Sequence, residues 1–376
     1  MNDLLLYSYS LCIALPLMLF FGFYFLFAKA PEKGIFENYL RSRRIMGIAL
    51  LLLATNYSVH FFFGIRFKNA DVAILMNLST YFLCYWLFSS AFTTLLDRFY
   101  ITKRRLWTHI SLWVFFSILS CIVLLLLPAG VLLTIAQFAL AAWLVIYGFF
   151  RSRRVILAYN RAIRIFNETY SDDIGAYIKW LSFFTWWAII FGMGCGLLTF
   201  LPDDHVYIWI LSSVPFYIYL FCCYLNYLLF YERVECAIES EITSEGEDIQ
   251  RAMARSKTSE QETPSYHAQI AEKIKEWIEA GSYVRTGLTI MELSDLLHTN
   301  RTYLSEYIKT TYNMTFRDWI TILRIDYAKR LLVENPRLTI AEISEKSGFL
   351  SPSHFNRLFK ENAGCTPMKW RKREAK

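Results

Sequence analysis

A short stretch near the C-terminus, "SPSHFNRLFK" (351–360), places small polar and basic side chains at the spacing of one helix face. That face would carry Ser353, Asn356, Arg357 and Lys360. Asparagine and arginine can form paired hydrogen bonds with base edges, serine can add a single one, and lysine attracts phosphate. The pattern therefore predicts that Ser353, Asn356 and Arg357 contact bases and that Lys360 contacts the backbone of a nucleic acid.

A second stretch, "NRTYLSEYIK" (300–309), repeats the arrangement about fifty residues earlier. Its exposed positions would be Thr302, Ser305, Glu306 and Lys309. We expect the first three to face bases and Lys309 to face phosphate. Any one of these residues would fit an ordinary solvated helix face equally well. The recurrence of the same face in both stretches favours contact with DNA.

Start and turn signals around both stretches predict two helix-turn-helix units. Asn300 and Ser351 are expected N-caps, and Pro352 fits the first position of a helix. Gly348 suits a turn that requires a positive φ. A preceding short helix would complete each unit. The residues predicted to form the apolar cores are Ile290, Leu293, Leu296, Leu297, Leu304, Tyr307 and Ile308 in the first unit, and Ile340, Ile343, Phe355, Leu358 and Phe359 in the second.

A longer amphipathic helix is predicted between the units, within "TFRDWITILRIDYAKRLLVENP" (315–336). Its apolar residues would pack toward both units, and Pro336 would follow its end.

Residues 265–376 carry 18 Lys and Arg against 13 Asp and Glu. This mild positive excess is what phosphate neutralisation requires, although it would also fit a patch that faces a membrane.

The segments "LRIDYAKRLL", "TIAEISEKSGF", "SPSHFNRLFKENAG" and "CTPMKWR" together resemble the DNA-binding domain of the AraC/XylS family of bacterial transcription regulators. The resemblance covers residues 265–376. It implies two recognition helices in successive major grooves, held about one DNA turn apart by the middle helix. It also implies promoter DNA and RNA polymerase as partners. No cofactor is expected. The rest of the chain does not resemble the family's sugar-binding domain, so the resemblance implies no effector.

The first 231 residues are apolar in a way that soluble proteins are not. Over the whole chain 55% of residues are hydrophobic and only 19% are charged, and the excess lies before Tyr231. Continuous apolar runs of about 20 residues predict membrane-spanning helices. "PAG" (128–130) would be a hairpin turn between the fourth and fifth. The seven predicted spans are about 4–28, 45–65, 72–96, 106–127, 131–150, 178–200 and 206–231.

Basic residues concentrate in alternate loops, and this bias predicts the orientation of the spans. The first, third and fifth loops are rich in Lys and Arg, whereas the second has only Arg66 and Lys68, and 128–130 and 201–205 contain none. The rich loops would be cytoplasmic, which places the N-terminus outside and everything after Tyr231 inside the cell. The basic residues concerned are Lys29, Lys33, Arg41, Arg43, Arg44, Arg98, Lys103, Arg104, Arg105, Arg151, Arg153, Arg154, Arg161 and Arg164.

These patterns together predict an all-α protein of three parts. Residues 1–231 would form a seven-helix transmembrane bundle, 232–264 an acidic cytoplasmic linker, and 265–376 the two-unit DNA-binding domain. Apolar residues at helical spacing after Tyr231 suggest that the last span continues into the linker, where it could pair with a second copy in a homodimer. "RSKTSEQETPS" (255–265) would be flexible.

Three polar residues, Asn56, His60 and Asn77, fall within the predicted spans on the outer side. Polar groups in lipid are costly and are often functional, so these residues could line a ligand pocket. Hydrogen bonds that merely pack the bundle are the alternative.

The sequence predicts a membrane-embedded transcription regulator of the bacterial inner membrane, and not an enzyme. None of the eight cysteines forms a C-x-x-C pair, so no metal site is expected. A membrane transporter or enzyme with an autoregulatory DNA-binding tail is the alternative. His60 and His109 would lie toward opposite leaflets, and no predicted span has a central carboxylate, which disfavours an enzyme. Whether the membrane part senses a ligand or only anchors the chain stays open.

Overall fold

The computed structural model describes residues 2–29, 34–97, 99–172, 175–187, 193–202, 205–255 and 263–374. In that part of the chain the regular structure is helical. The helices are α1 (Asn2–Phe27), α2 (Glu37–Phe63), α3 (Ile65–Lys68), α4 (Ala70–Leu96), α5 (Lys103–Leu126), α6 (Val131–Thr169), α7 (Gly175–Trp187), α8 (Met193–Leu198), α9 (Val206–Arg255), α10 (Thr263–Glu279), α11 (Ile290–Leu296), α12 (Arg301–Tyr312), α13 (Phe316–Glu334), α14 (Ile340–Lys346), α15 (Pro352–Ala363) and α16 (Pro367–Glu374).

The contacts divide the chain into two compact units. The first unit comprises residues 1–161 and 177–232, and the second comprises 162–176 and 233–376. Two long helices contribute to both. The last turns of α6, from Ala162, belong to the second unit, and so does the part of α9 that follows Glu232.

The first unit is built from helices long and apolar enough to cross a membrane. Six such helices are present among the described residues: α2, α4, α5, α6, Leu5–Phe27 of α1 and Val206–Leu229 of α9. Their lengths of 23 residues or more suit a hydrocarbon core about 30 Å thick. As expected, residues 128–130 form the turn between α5 and α6. The interior is aromatic; for example, Phe82 stacks on Phe116 and on Tyr147 with ring centroids 4.7 and 4.2 Å apart.

The outer surface of the first unit is apolar as well. Leu125, Leu126 and Val131 are 81%, 75% and 77% exposed, and Leu229 is 76% exposed. A soluble protein rarely leaves so many large apolar side chains exposed to water. The exposed side chains are of the kind that lipid would cover.

The seventh predicted span, 178–200, is not matched by one long helix in the described residues. The chain there forms α7 and the six-residue α8, and residues 188–192 between them lie outside the described part. Among the described residues, six helices therefore meet the length and composition of a span, and the count of seven is not confirmed.

The last long helix extends much further than a membrane requires. α9 runs for 50 residues to Arg255, so the predicted continuation of the last span into the linker is present. The stretch predicted to be flexible, 255–265, falls mostly on residues 256–262, which lie outside the described part.

The second unit contains two apolar cores, one for each helix-turn-helix unit. Leu293, Leu304 and Ile308 belong to the first core, together with Trp277 from α10 and Trp319 from α13. Ile343, Phe355 and Phe359 belong to the second core, together with Ile325 and Leu332 from α13. The helix α13 is thus shared by both cores, as its two apolar faces predict.

One predicted core position is wrong. Leu296 was expected to be buried beside Leu293 and Leu297, but it is 59% exposed, whereas those two are 0% and 4% exposed. The helix α11 ends at Leu296, so the helical spacing that predicted its burial stops there. Ile340 is only partly buried against the second core.

Candidate nucleic-acid interface

The two candidate recognition helices, α12 and α15, begin as their sequences predict. The side chain of Asn300 accepts a hydrogen bond from the amide of Tyr303, and the side chain of Ser351 accepts one from the amide of His354. Pro352 occupies the first turn of α15. These caps determine the residue at which each helix begins, and therefore which residues face outward.

The helices that precede them, α11 and α14, both begin with a capping box. In each, a threonine and a glutamate three residues later form a reciprocal capping box, Thr289 with Glu292 and Thr339 with Glu342. Hydrogen bonds from the amide and hydroxyl of Thr339 lower the pKa of the Glu342 carboxyl. The two units therefore share their local construction as well as their pattern of exposed residues.

The turn of the second unit requires glycine. Gly348 has φ +81°, and a Cβ there would lie 2.1 Å from the carbonyl oxygen of Val284, closer than atoms can approach. In the first unit the corresponding turn contains His298 with φ +54°. A non-glycine residue adopts that conformation at a cost, so the first unit is built with more local strain.

The predicted base-contacting residues of the second unit lie together on the exposed face of α15. Ser353, Asn356, Arg357 and Lys360 are all exposed, while Phe355, Leu358 and Phe359 point into the core. Arg357 is paired with Glu361 one turn later, with Nη1 and Oε1 3.4 Å apart and both side chains more than half exposed. This exposed pair is weak, so Arg357 can exchange Glu361 for another acceptor at little cost.

The corresponding residues of the first unit lie on one face of α12. Thr302, Glu306 and Lys309 are exposed and Ser305 is partly exposed. Leu304 and Ile308 are fully buried beneath them. The structure thus places each of the eight predicted DNA-contacting residues on an accessible surface of its helix, four on each.

Three arginines of the second unit were not anticipated as site residues. Arg301 and Arg317 lie at the N-terminal ends of α12 and α13, and Arg324 lies in the middle of α13. Arg324 is 1% exposed. The sequence does contain a signal for Arg324. It lies on the same helix face as Ile320, Thr321 and Ala328 and next to Ile325, so a helix that buries these residues also buries the arginine.

Two of the three polar residues predicted within the spans, His60 and Asn77, form a hydrogen-bonded network in the first unit. His60 Nε2 and Asn77 Oδ1 are 2.8 Å apart, and the Asn77 amide donates to the Thr199 hydroxyl over 3.0 Å. Asn56 instead donates to Thr80 on the neighbouring helix over 3.1 Å. The structure therefore brings His60 and Asn77 together and leaves Asn56 outside their network.

One cavity adjoins this network, and a second cavity adjoins the first. A small one of about 20 Å³ is lined by His60, Asn77 and Arg66 among others, and an aromatic one of about 90 Å³ lies beside it. Tyr57, Tyr81 and Trp209 line both. The His60 Nδ1 atom is buried and has no hydrogen-bond partner among the described residues. No cluster of three or more metal-ligating side chains occurs in the part of the chain that the structure describes.

Comparison with known proteins finds relatives for the C-terminal part. Residues 293–373 match the family model described as "Helix-turn-helix domain". The Msm operon regulatory protein of Streptococcus mutans is 33% identical over 87 residues, which cover 23% of this chain and 31% of that protein. An uncharacterized HTH-type transcriptional regulator of Bacillus subtilis, YobQ, is 31% identical over 112 residues, which cover 27% of this chain and 46% of that protein.

Among solved structures, the C-terminal domain of the two-component response regulator yesN from Fusobacterium nucleatum is 33% identical. The match covers 27% of this chain and 96% of that chain, with a TM-score of 0.25. The chain spans less than half the length of the two curated relatives described above.

Proposed function

Since residues 293–373 are a helix-turn-helix domain of the AraC type, we propose that the chain is a membrane-embedded transcription regulator. It binds promoter DNA sequence-specifically through α12 and α15, and its membrane part responds to a signal. The observation that carries this proposal is the repetition of one construction. Two capped helices, each over its own apolar core and joined by α13, present the same type of polar and basic face.

The proposed contacts follow from the chemistry of the exposed side chains. Arg357 and Asn356 would form paired hydrogen bonds with guanine and adenine edges, with Ser353 beside them. Thr302, Ser305 and Glu306 would contact bases in the adjacent major groove. Glu306 would accept a hydrogen bond from a cytosine amino group. Lys309 and Lys360 would bind phosphate. RNA polymerase is a further proposed partner, by resemblance to the family.

The proposed location in the membrane is supported by the six apolar helices and by their exposed leucine and valine side chains. The charge bias of the loops supports an external N-terminus and a cytoplasmic second unit. In a bacterium that orientation places α12 and α15 in the compartment that holds the chromosome. A homodimer formed through the extension of α9 would present two such domains to repeated half-sites.

The proposed signal site is the pair of cavities beside His60 and Asn77. A volume of about 90 Å³ is smaller than the 300 Å³ or more of a site for a drug-sized ligand, so the aromatic cavity would take a small apolar molecule or the end of an acyl chain. A polar group that extends from that molecule into the smaller cavity would meet His60, whose Nδ1 has no hydrogen-bond partner among the described residues. Replacing Asn56, His60 or Asn77 by leucine would then blunt the response of a reporter gene to its inducing condition. Unchanged induction in these variants would mean that the three residues only pack the bundle.

The experiment that tests the function uses the full-length protein in lipid nanodiscs. Duplexes are selected from a random library at about 0.15 M salt, and the enriched sequence is titrated against random competitor. We expect a preference of roughly a thousandfold or more, as for other specific DNA-binding proteins. Absence of any enriched sequence, or recovery of the protein in the soluble fraction of cells, would contradict the proposal.

A further inference from the structure

The end of α6 and the residues that follow it lie directly on the DNA-binding half of the second unit. Tyr170 forms an isolated antiparallel bridge with Thr289. The amide of Ser171 donates to the carbonyl oxygen of Leu288 over 3.0 Å, and the amide of Gly287 donates to Asp172 Oδ2 over 2.8 Å. We refer to residues 167–172 as the docking segment.

A buried ion pair fixes the docking segment in place. Arg324 Nη1 donates to Asp172 Oδ1 over 3.0 Å, and the two side chains are only 2% and 9% exposed. Arg324 Nη2 also donates to the Ser171 hydroxyl over 3.2 Å. Burial lowers the pKa of the Arg324 guanidinium, and the Asp172 carboxylate opposes that shift. A buried cation is costly without such a partner, so the segment and Arg324 stabilise each other.

Arg324 also lies at the junction of the two helix-turn-helix units. Its Nε and Nη2 atoms donate to the carbonyl oxygens of Tyr283 and Arg285, in the loop before α11. A Cβ on Gly348, in the turn before α15, would lie 3.1 Å from Arg324 Nε. The docking segment therefore contacts a side chain that donates to the loop before the first unit and lies close to the turn of the second.

Two further hydrogen bonds join the docking segment to arginines near the proposed DNA surface. Arg301 Nη2 donates to Thr169 Oγ1 over 3.3 Å, and Arg317 Nη1 donates to Asn167 Oδ1 over 2.8 Å. Arg301 is the first residue of α12 and Arg317 the second of α13. Arginine at a helix N-terminus is suited to bind phosphate. In this structure both guanidinium groups donate to oxygens of the docking segment.

We propose that the docking segment is an internal restraint on DNA binding, which holds Arg301, Arg317 and the unit junction in a state of low DNA affinity. The inference rests on the proposed function and specifies how it is regulated. The segment continues α6, a single helix that begins at Val131 and contains the fifth apolar span. A shift of that span would move residues 167–172, free the two arginines for phosphate, and release the junction.

The test compares the full-length chain in nanodiscs with two variants. In N167A/T169A the contacts to Arg301 and Arg317 are removed while the Asp172–Arg324 pair is kept. In D172A the ion pair is removed. We expect both variants to bind the selected duplex about 5- to 150-fold more tightly, the usual range for coupling between sites. D326A is the matched control, because Asp326 is an exposed carboxylate on α13 that pairs only locally with Lys329.

Salt dependence distinguishes the restraint from a general change in stability. Each phosphate contact adds about 0.9 to the slope of log affinity against log salt, so freeing two arginines should steepen the slope by about 1.8. The combination of N167A/T169A with R301A and R317A should lose that gain. Hydrogen exchange at the amide of Gly287 should be faster in D172A, because its acceptor is removed.

The outcomes separate the two proposals. If the wild-type chain enriches no duplex, the proposed function fails. If the wild-type chain binds DNA and N167A/T169A binds with equal or lower affinity and an unchanged salt slope, the restraint is refuted. Should D172A lower the thermal midpoint of the second unit, N167A/T169A alone decides the question, since it leaves Arg324 paired.

Discussion

At the scale of single residues, substitution of Arg357 gives the clearest test of the proposed base contacts. Arg357 pairs with Glu361 on the same helix, an exposed carboxylate that a guanine edge can replace. Loss of a paired arginine–guanine contact costs about 1–3 kcal/mol of discrimination. R357A should therefore weaken binding to the selected duplex roughly 5- to 150-fold and leave binding to random DNA nearly unchanged.

Lys360 provides the contrasting prediction on the same helix. As a phosphate contact it carries no sequence information, so K360A should weaken binding to all duplexes alike and reduce the salt slope by about 1. Titrations of both variants at several salt concentrations measure this difference. A sequence-selective loss in K360A, or equal footprints for R357A and wild type, would reverse the proposed roles.

Gly348 allows a prediction about stability. In G348A the new methyl group would meet the Val284 carbonyl and would also occupy a positive φ. Overlap and backbone strain together should lower the free energy of unfolding by about 3 kcal/mol or more. G364A is the matched control, since Gly364 has φ +71° with open space around it and should lose only about 1–2 kcal/mol. Denaturant unfolding measures both, and equal losses would show that the contact with Val284 is unimportant.

At the scale of elements, the capping boxes stabilise the starts of α11 and α14, the helices that precede the recognition helices. Replacing Thr289 or Thr339 by alanine removes the side-chain acceptor of each box. Each change should lower stability by about 1 kcal/mol. The serine variants, which keep a hydroxyl, should recover most of the loss. A loss from alanine with no recovery by serine would point to the methyl group rather than the cap.

The box at Thr339 also predicts a pH dependence. The pKa of Glu342 is lowered in the folded protein, so its stabilising effect is complete above the ordinary glutamate pKa of about 4.3. That effect is lost as the pH falls through the lower folded pKa. Unfolding of E342Q should therefore depend less on pH than that of wild type below about pH 4.5. Parallel pH profiles of the two proteins would contradict this assignment.

The elements of the second unit could be predicted from sequence because their signals are local. Caps at Asn300 and Ser351 and the glycine turn at Gly348 each depend on a few neighbouring residues. Leu296 was misplaced because a periodic pattern does not say where a seven-residue helix stops. The contacts of Arg324 could not be found from local patterns at all, since Asp172 lies 152 residues away.

At the scale of the whole molecule, the orientation of the apolar helices makes a direct prediction. A reporter that is active only outside the cytoplasm should be active when fused after Gly130 and inactive when fused after Arg154. The reason is that "RSRR" (151–154) strongly favours the cytoplasmic side, whereas the turn at 128–130 has no charge. Activity in the reverse pattern would overturn the proposed topology, and with it the access of the second unit to DNA.

The pairing of Arg324 with Asp172 has a practical consequence for anyone who shortens this protein. A tail excised near Ser265 would keep Arg324 and lose the carboxylate that neutralises it, together with Thr169 and Asn167. DNA affinities measured on such a fragment would describe the domain without its docking segment. The difference in affinity between that fragment and the intact chain would give the free energy of the restraint directly.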